Sequence, residues 1–153
     1  MIRYIDGDLI KMAQNGDFDV IAQGCNCFCV MGSGIAPQIK NAFPEAYAVD
    51  CETKAGDVNK LGTITHTVTT KPTIVNIYSQ YGTRGRQKGE IDLDYDALRK
   101  GLQLTKDKFS GKRFGFPYIG TGLAGGDEKI VLKMIEDIFI GEYVTLVRYN
   151  PTK

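Results

Sequence analysis

Apolar and polar positions along the chain follow two periods, one of strands and one of amphipathic helices. Residues 2–5 (IRYI) predict a short strand ending at the turn Asp6, Gly7, Asp8, and 18–22 (FDVIA) a second whose nearly continuous apolar run implies burial on both faces. Ile35, Ile39, Ala42 and Phe43 then keep helical spacing, and Pro44 opens another helical stretch carrying Ala46, Tyr47 and Val49. Two strands follow at 61–69 and 73–79 as a hairpin-like pair, and 82–89 is a polar loop with three basic residues. A long amphipathic helix is predicted over 91–109, with Leu93, Ala97, Leu98, Leu102 and Leu104 or Thr105 facing inward and acids crowding its first turns. A strand at 114–119, a glycine loop at 120–126, a helix at 127–139 and a strand at 143–149 complete the pattern. Strands alternate with helices, so the expected class is α/β, a mixed sheet between layers of helices.

At 153 residues the chain is expected to be one domain, 1–153, with room for a proper core. A formal charge of +1 supplies no general field for gripping polyanions. No apolar stretch has the length of a membrane span, and the start, MIRYIDGDLI, lacks a signal-peptide pattern, so the cytoplasm is the expected location and no membrane partner is expected. Residues 84–113 hold nine basic and five acidic side chains, a bias that reads as a solvated loop and helix face.

Cys25, Cys27 and Cys29 lie within five residues, with Cys51 further on. Their alternate spacing lacks the two-residue gap that lets paired thiolates converge on zinc, so they are expected to be reduced thiols packed as small apolar groups, with no metal. The single His66 sits in a Thr and Val alternation that predicts a strand, facing solvent or a neighbouring strand.

Two strands run into glycine-rich segments that open helices, Gly24 to Ala36 and Gly120 to Gly126. Glycine lets backbone approach closely, and unpaired N–H groups at a helix start carry partial positive charge, so each segment is an anion cradle in prospect, and two together suit a pyrophosphate. Gly120, Gly122 and Gly125 match G-x-G-x-x-G, but the next strand ends at Tyr149 and Asn150 without the acid a dinucleotide fold needs, and the P-loop signature is absent.

The residues GDLI at 7–10, VIAQGCNCFCVMGSGIAPQIKNAFP at 20–44 and PYIGTGLAGGD at 117–127 resemble a macro domain, the ADP-ribose-recognition fold, over nearly the whole chain. The resemblance implies a three-layer α/β/α fold. Among subfamilies, the segment from Asn26 to Pro44 is similar to the branch holding ADP-ribose 1''-phosphate phosphatases and the glycohydrolases that strip ADP-ribose from protein or DNA. Carried over by position, Asp8 accepts from the adenine amino group beside the backbone of Leu9, or serves as a turn or helix cap. Gly24 begins the first loop, Asn26 meets the distal ribose, and Gly32, Ser33, Gly34, Ile35 and Ala36 surround that ribose and its phosphate. Gly120, Thr121, Gly122, Leu123, Ala124 and Gly125 cradle the diphosphate, and Tyr149 lies against adenine or is an ordinary strand-end tyrosine.

Gln80 stands where the glycohydrolases carry a lysine nucleophile, and Ala124 where they carry an acid. The resemblance therefore implies a phosphatase of ADP-ribose 1''-phosphate that needs no metal or cofactor, with Asn26 and Asp127 as its catalytic pair. Asp127 is a general base on that reading and a helix cap on the plain one. Two alternatives are a non-catalytic reader of ADP-ribose or ADP-ribosylated macromolecules, and a hydrolase releasing ADP-ribose from protein or nucleic acid without a lysine. In the last case Arg84, Arg86 and Lys88 would touch a polyanionic carrier.

Overall fold

A computed structural model describes residues 2–83, 85–150 and 152; Arg84 and the side chains of Arg86 and Gln87 lie outside this description. Among the described residues six strands form one sheet in the order β1-β6-β5-β2-β4-β3. These are β1 (Ile2–Gly7), β2 (Val20–Cys25), β3 (Ile64–His66), β4 (Thr73–Tyr78), β5 (Arg113–Phe116) and β6 (Tyr143–Tyr149). Neighbours are parallel except β3, which pairs antiparallel with β4 from Ile64 opposite Ile77 to His66 opposite Val75. The sheet is mixed, as the alternation of elements predicted.

Side chains on successive positions of each strand enter opposite cores. Val20, Ala22, Val75, Ile77, Phe114 and Phe116 pack under helices α4 (Tyr95–Phe109) and α5 (Glu128–Ile138). Ile21, Ile74 and Val147 pack under α1 (Leu9–Gln14), α2 (Ala36–Ala42) and α3 (Pro44–Cys51). The result is the three-layer α/β/α arrangement. On the α4/α5 side, Phe114, Phe116 and Phe139 meet at ring separations of 5.1–5.7 Å.

Several boundaries depart from the sequence expectation. Helix α1 was not predicted: its six residues are too few for a periodic signal, and it stands on the Asp8 cap, whose Oδ1 accepts from the N–H groups of Ile10 (3.1 Å) and Lys11 (3.2 Å). Helix α4 begins at Tyr95 instead of 91, because Asp94 takes the cap position and accepts from Ala97 N at 3.0 Å. Of its two inward candidates, Thr105 is buried and bonds back to Gly101 O, and Leu104 is exposed. Strand β3 covers three residues of the predicted nine-residue run; His66 there packs edge-on against Phe109 at 5.5 Å. Strand β5 stops at Phe116, ahead of Pro117.

Candidate functional site

The carboxyl ends of β2, β5 and β6 open into a cleft, as expected of parallel strands that lead into helices. It has two adjoining compartments, of about 740 Å³ and about 350 Å³, which share Gly34, Ile35, Pro117, Tyr118 and Gly122. The larger lies between the segment 24–36 and the loop 117–124, with Gln80, Thr83 and Asp92 from the β4–α4 connection. The smaller is walled by Asp8, Leu9, Gln38, Thr121 and the β6 end, Val147 to Tyr149.

One wall begins at Asn26, which is buried at the end of β2. Its amide braces its own loop: Nδ2 donates to Val30 O (2.7 Å) and Oδ1 accepts from Phe28 N (2.8 Å). Below the loop, the buried Lys60 donates through Nζ to Cys27 O (3.2 Å), and Gly56 N donates to the same oxygen (2.7 Å). Tyr78, also buried, donates its O–H to Asp50 Oδ1 (2.7 Å). Burial raises the pKa of Asp50, opposed by the Tyr78 hydrogen bond and the nearby Lys60 charge. Burial also pushes the Cys25 and Cys27 thiols up, so these sulfurs act as packing groups rather than nucleophiles.

The other wall is a closed loop. Gly120 and Gly125 take left-handed φ values of 73° and 76°, and Gly126 N donates to Gly120 O at 2.8 Å across the neck. The chain just before α4 fastens it: the N–H groups of Asp92 (3.0 Å) and Leu93 (3.2 Å) both donate to Ala124 O. Among the described residues, the N–H groups of Gly122, Leu123 and Ala124 on this wall, and those of 32–35 on the other, donate to no protein acceptor. These residues line the cleft, and runs of open donors on its two walls suit an anionic group held between them.

Most residues singled out from sequence line the cleft: Asp8, Leu9, Tyr149 and Thr121 the smaller compartment; Gly24, Asn26, Gly32, Ser33, Ala36, Gly120, Leu123 and Ala124 the larger; Gly34, Ile35 and Gly122 both. One carboxylate oxygen of Asp8 caps α1 and, among the described residues, the other takes no hydrogen bond. Gly125 lies behind the lining and shapes the loop.

Asp127 lies apart from the other residues singled out from sequence. It caps α5, accepting from Lys129 N (2.8 Å) while its own N–H donates to Tyr95 Oη (2.9 Å), and it lines neither compartment. The carboxylate of the larger compartment is Asp92, which sequence reasoning did not single out. Also missed were Tyr118, directly ahead of the glycine loop, and Arg148, whose guanidinium lies 4.2 Å above the Tyr118 ring and pairs with Glu128. An aromatic residue beside a glycine loop was an available signal for Tyr118; the stacking partner on the neighbouring strand β6 was not.

The sequence pattern of the macro domain matches residues 22–135. An uncharacterized 17.5 kDa protein of Enterobacteria phage T4 is 30% identical over 160 residues, 99% of this chain and 98% of that protein. An ADP-ribose 1''-phosphate phosphatase of Scheffersomyces stipitis is 38% identical over 66 residues, 40% of this chain and 38% of the yeast protein. Among solved structures, a Bacteroides thetaiotaomicron protein of unknown function superposes with a TM-score of 0.84 at 25% identity, covering 97% of this chain and 98% of that one. A Trypanosoma brucei macrodomain in complex with ADP-ribose superposes at 0.67 with 17% identity, covering 96% and 63%. Together with the mixed three-layer sheet and the two glycine walls at its carboxyl edge, the match over 22–135 establishes that this chain belongs to the macro domain family.

Proposed function

We propose that the cleft binds ADP-ribose and that the protein hydrolyses ADP-ribose 1''-phosphate to ADP-ribose and inorganic phosphate. The observation that carries this reading is the pair of open N–H runs, 32–35 and 122–124, on the two walls of a cleft with two compartments of unequal size. A diphosphate fits between the runs, where backbone donors meet its charge without a lysine. Adenine then occupies the smaller compartment: the open oxygen of Asp8 accepts from the exocyclic amine, and the exposed Tyr149 ring offers a face to the base. The terminal ribose and its 1'' substituent fall in the larger compartment, beside Asn26.

The phosphatase assignment draws on the likeness to the yeast phosphatase over 66 residues and on the amide Gln80, which offers no amine nucleophile. Gln80 Nε2 is held by Gly82 O at 2.7 Å. The experiment is incubation of the purified protein with ADP-ribose 1''-phosphate, following phosphate, alongside calorimetric titration with ADP-ribose. Phosphate release that collapses in Asn26→Ala supports the reading, and absence of ADP-ribose binding overturns it. A non-catalytic reader is the second reading, favoured by the position of Asp127 at a helix cap outside the cleft; it predicts tight binding with no turnover. Release of free ADP-ribose from a modified protein or nucleic acid, without phosphate release, would assign the cleft to such conjugates instead.

A further inference from the structure

Asp92 is, among the described residues, the one charged side chain lining the larger compartment. Three contacts fix it there. Its N–H donates to Ala124 O (3.0 Å), which ties its backbone to the wall carrying the open donors. The neighbouring Leu93 packs its side chain against that same loop, so closely that a Cβ at Gly120 would meet Leu93 Cδ1 at 2.7 Å. On the side chain, Oδ1 accepts from Gly85 N at 2.9 Å, and among the described residues Oδ2 takes no hydrogen bond. The carboxylate is half-buried and held at one oxygen, with its second oxygen open. Gly85 has to be small for this: a Cβ there would stand 2.6 Å from Asp92 Oδ1.

We propose that Asp92 is the catalytic general base of the hydrolysis, an inference that rests on the proposed function and adds the residue that performs it. With the ligand seated as above, the scissile group lies in the compartment Asp92 lines. With the N–H groups of 122–124 holding the diphosphate, Oδ2 faces a water beside the scissile group. As the water oxygen forms its bond to phosphorus and the P–O1'' bond breaks, Oδ2 takes one water proton. That proton passes to O1'' of the departing ADP-ribose, so the products are ADP-ribose and hydrogen phosphate, and the carboxylate returns to its starting state. Asp127, capping α5 outside the lining, takes no part in this step.

The test is a split of turnover from binding in two variants. Asp92→Asn keeps an oxygen to accept from Gly85 N but is no base: kcat should fall about 10²- to 10⁴-fold, with KM and the ADP-ribose Kd within about threefold of the wild-type values. Gly85→Ala keeps the carboxylate and crowds it, and should lower kcat at least about tenfold with ADP-ribose binding retained. Undiminished phosphate release by Asp92→Asn overturns the role of Asp92 and leaves the phosphatase reading standing. Loss of ADP-ribose binding together with turnover in both variants shows a structural role and overturns it too. A wild-type protein that binds ADP-ribose and releases no phosphate overturns the base together with the hydrolase reading.

Discussion

Gly126 closes the neck of the second glycine wall, and alanine there tests how tightly that wall is built. A Cβ on Gly126 would lie 2.6 Å from Gly120 O and 2.3 Å from Leu93 Cδ2. The leucine tip can rotate, but the carbonyl is backbone and moves only with the loop. The shift breaks the Gly126 N to Gly120 O hydrogen bond, now 2.8 Å. Overpacking costs about 1–3 kcal/mol and the lost bond about 1 kcal/mol, so Gly126→Ala should destabilise the fold by about 2–4 kcal/mol. With a urea slope of roughly 2 kcal/mol per molar, the unfolding midpoint falls by about 1–2 M at unchanged slope. Gly122→Ala is the companion variant: its φ is not left-handed and nothing lies within 4 Å of the new Cβ, so its stability should stay within about 0.5 kcal/mol of wild type. A Gly126→Ala midpoint equal to that of wild type and Gly122→Ala would refute the argument, because it would show that the neck yields without cost.

Three further outcomes follow from the same contacts. Asp127→Ala removes the cap of α5 and should lower stability by about 1 kcal/mol, read from urea unfolding. Tyr78→Phe strips the hydroxyl that joins Asp50 and Thr65 in the core and leaves a buried carboxyl short of a partner; a loss of about 1–3 kcal/mol is expected in the same assay. The Arg113 guanidinium and main-chain N–H hold the Asp19 carboxyl below its usual range. A depressed folded-state pKa stabilises above the unfolded value of about 3.9, and that contribution is lost as pH falls through the lower folded value. Urea midpoints of wild type and Asp19→Asn should therefore differ at neutral pH and converge in acid.

The layer order, the mixed sheet and both glycine walls were legible in the sequence because each rests on a local signal: strand runs, helical spacing, or glycines where the backbone must turn or approach a neighbour. Phe18 and Gly115 show where local signals stop. A Cβ at Gly115 would lie 2.6 Å from the Phe18 ring, a contact that depends on which strands pair. The two carboxylates fail for the same reason. Asp127 follows the glycine loop directly and draws attention by position, yet it caps the helix it starts and lines neither compartment. Asp92 sits in the alternating run Glu90, Asp92, Asp94, Asp96, where nothing local separates one acid from the next. The fold sorts them: Asp94 caps α4, Asp96 pairs with Arg99 on the surface, and Asp92 lines the cleft, its backbone N–H bonded to Ala124 O. That last sorting depends on a loop some thirty residues away, which no periodicity reports.

The pairing of β1 with β6 bears on the order of events in folding. Ile2 lies beside Val144 and Gly7 beside Tyr149, so, among the described strands, the first one has its sole neighbour in the last. Bringing them together closes a loop of about 140 residues, a slow step because its entropy is spent before the contacts form. Asp8 and Tyr149, the two ends of the smaller compartment, are separated until that step is complete. A species lacking only this strand pair has both glycine walls and the larger compartment, but not the smaller one. A ligand spanning both compartments recognises only the finished chain, so it should lengthen the lifetime of the native state by slowing its unfolding, with little effect on how fast it is reached.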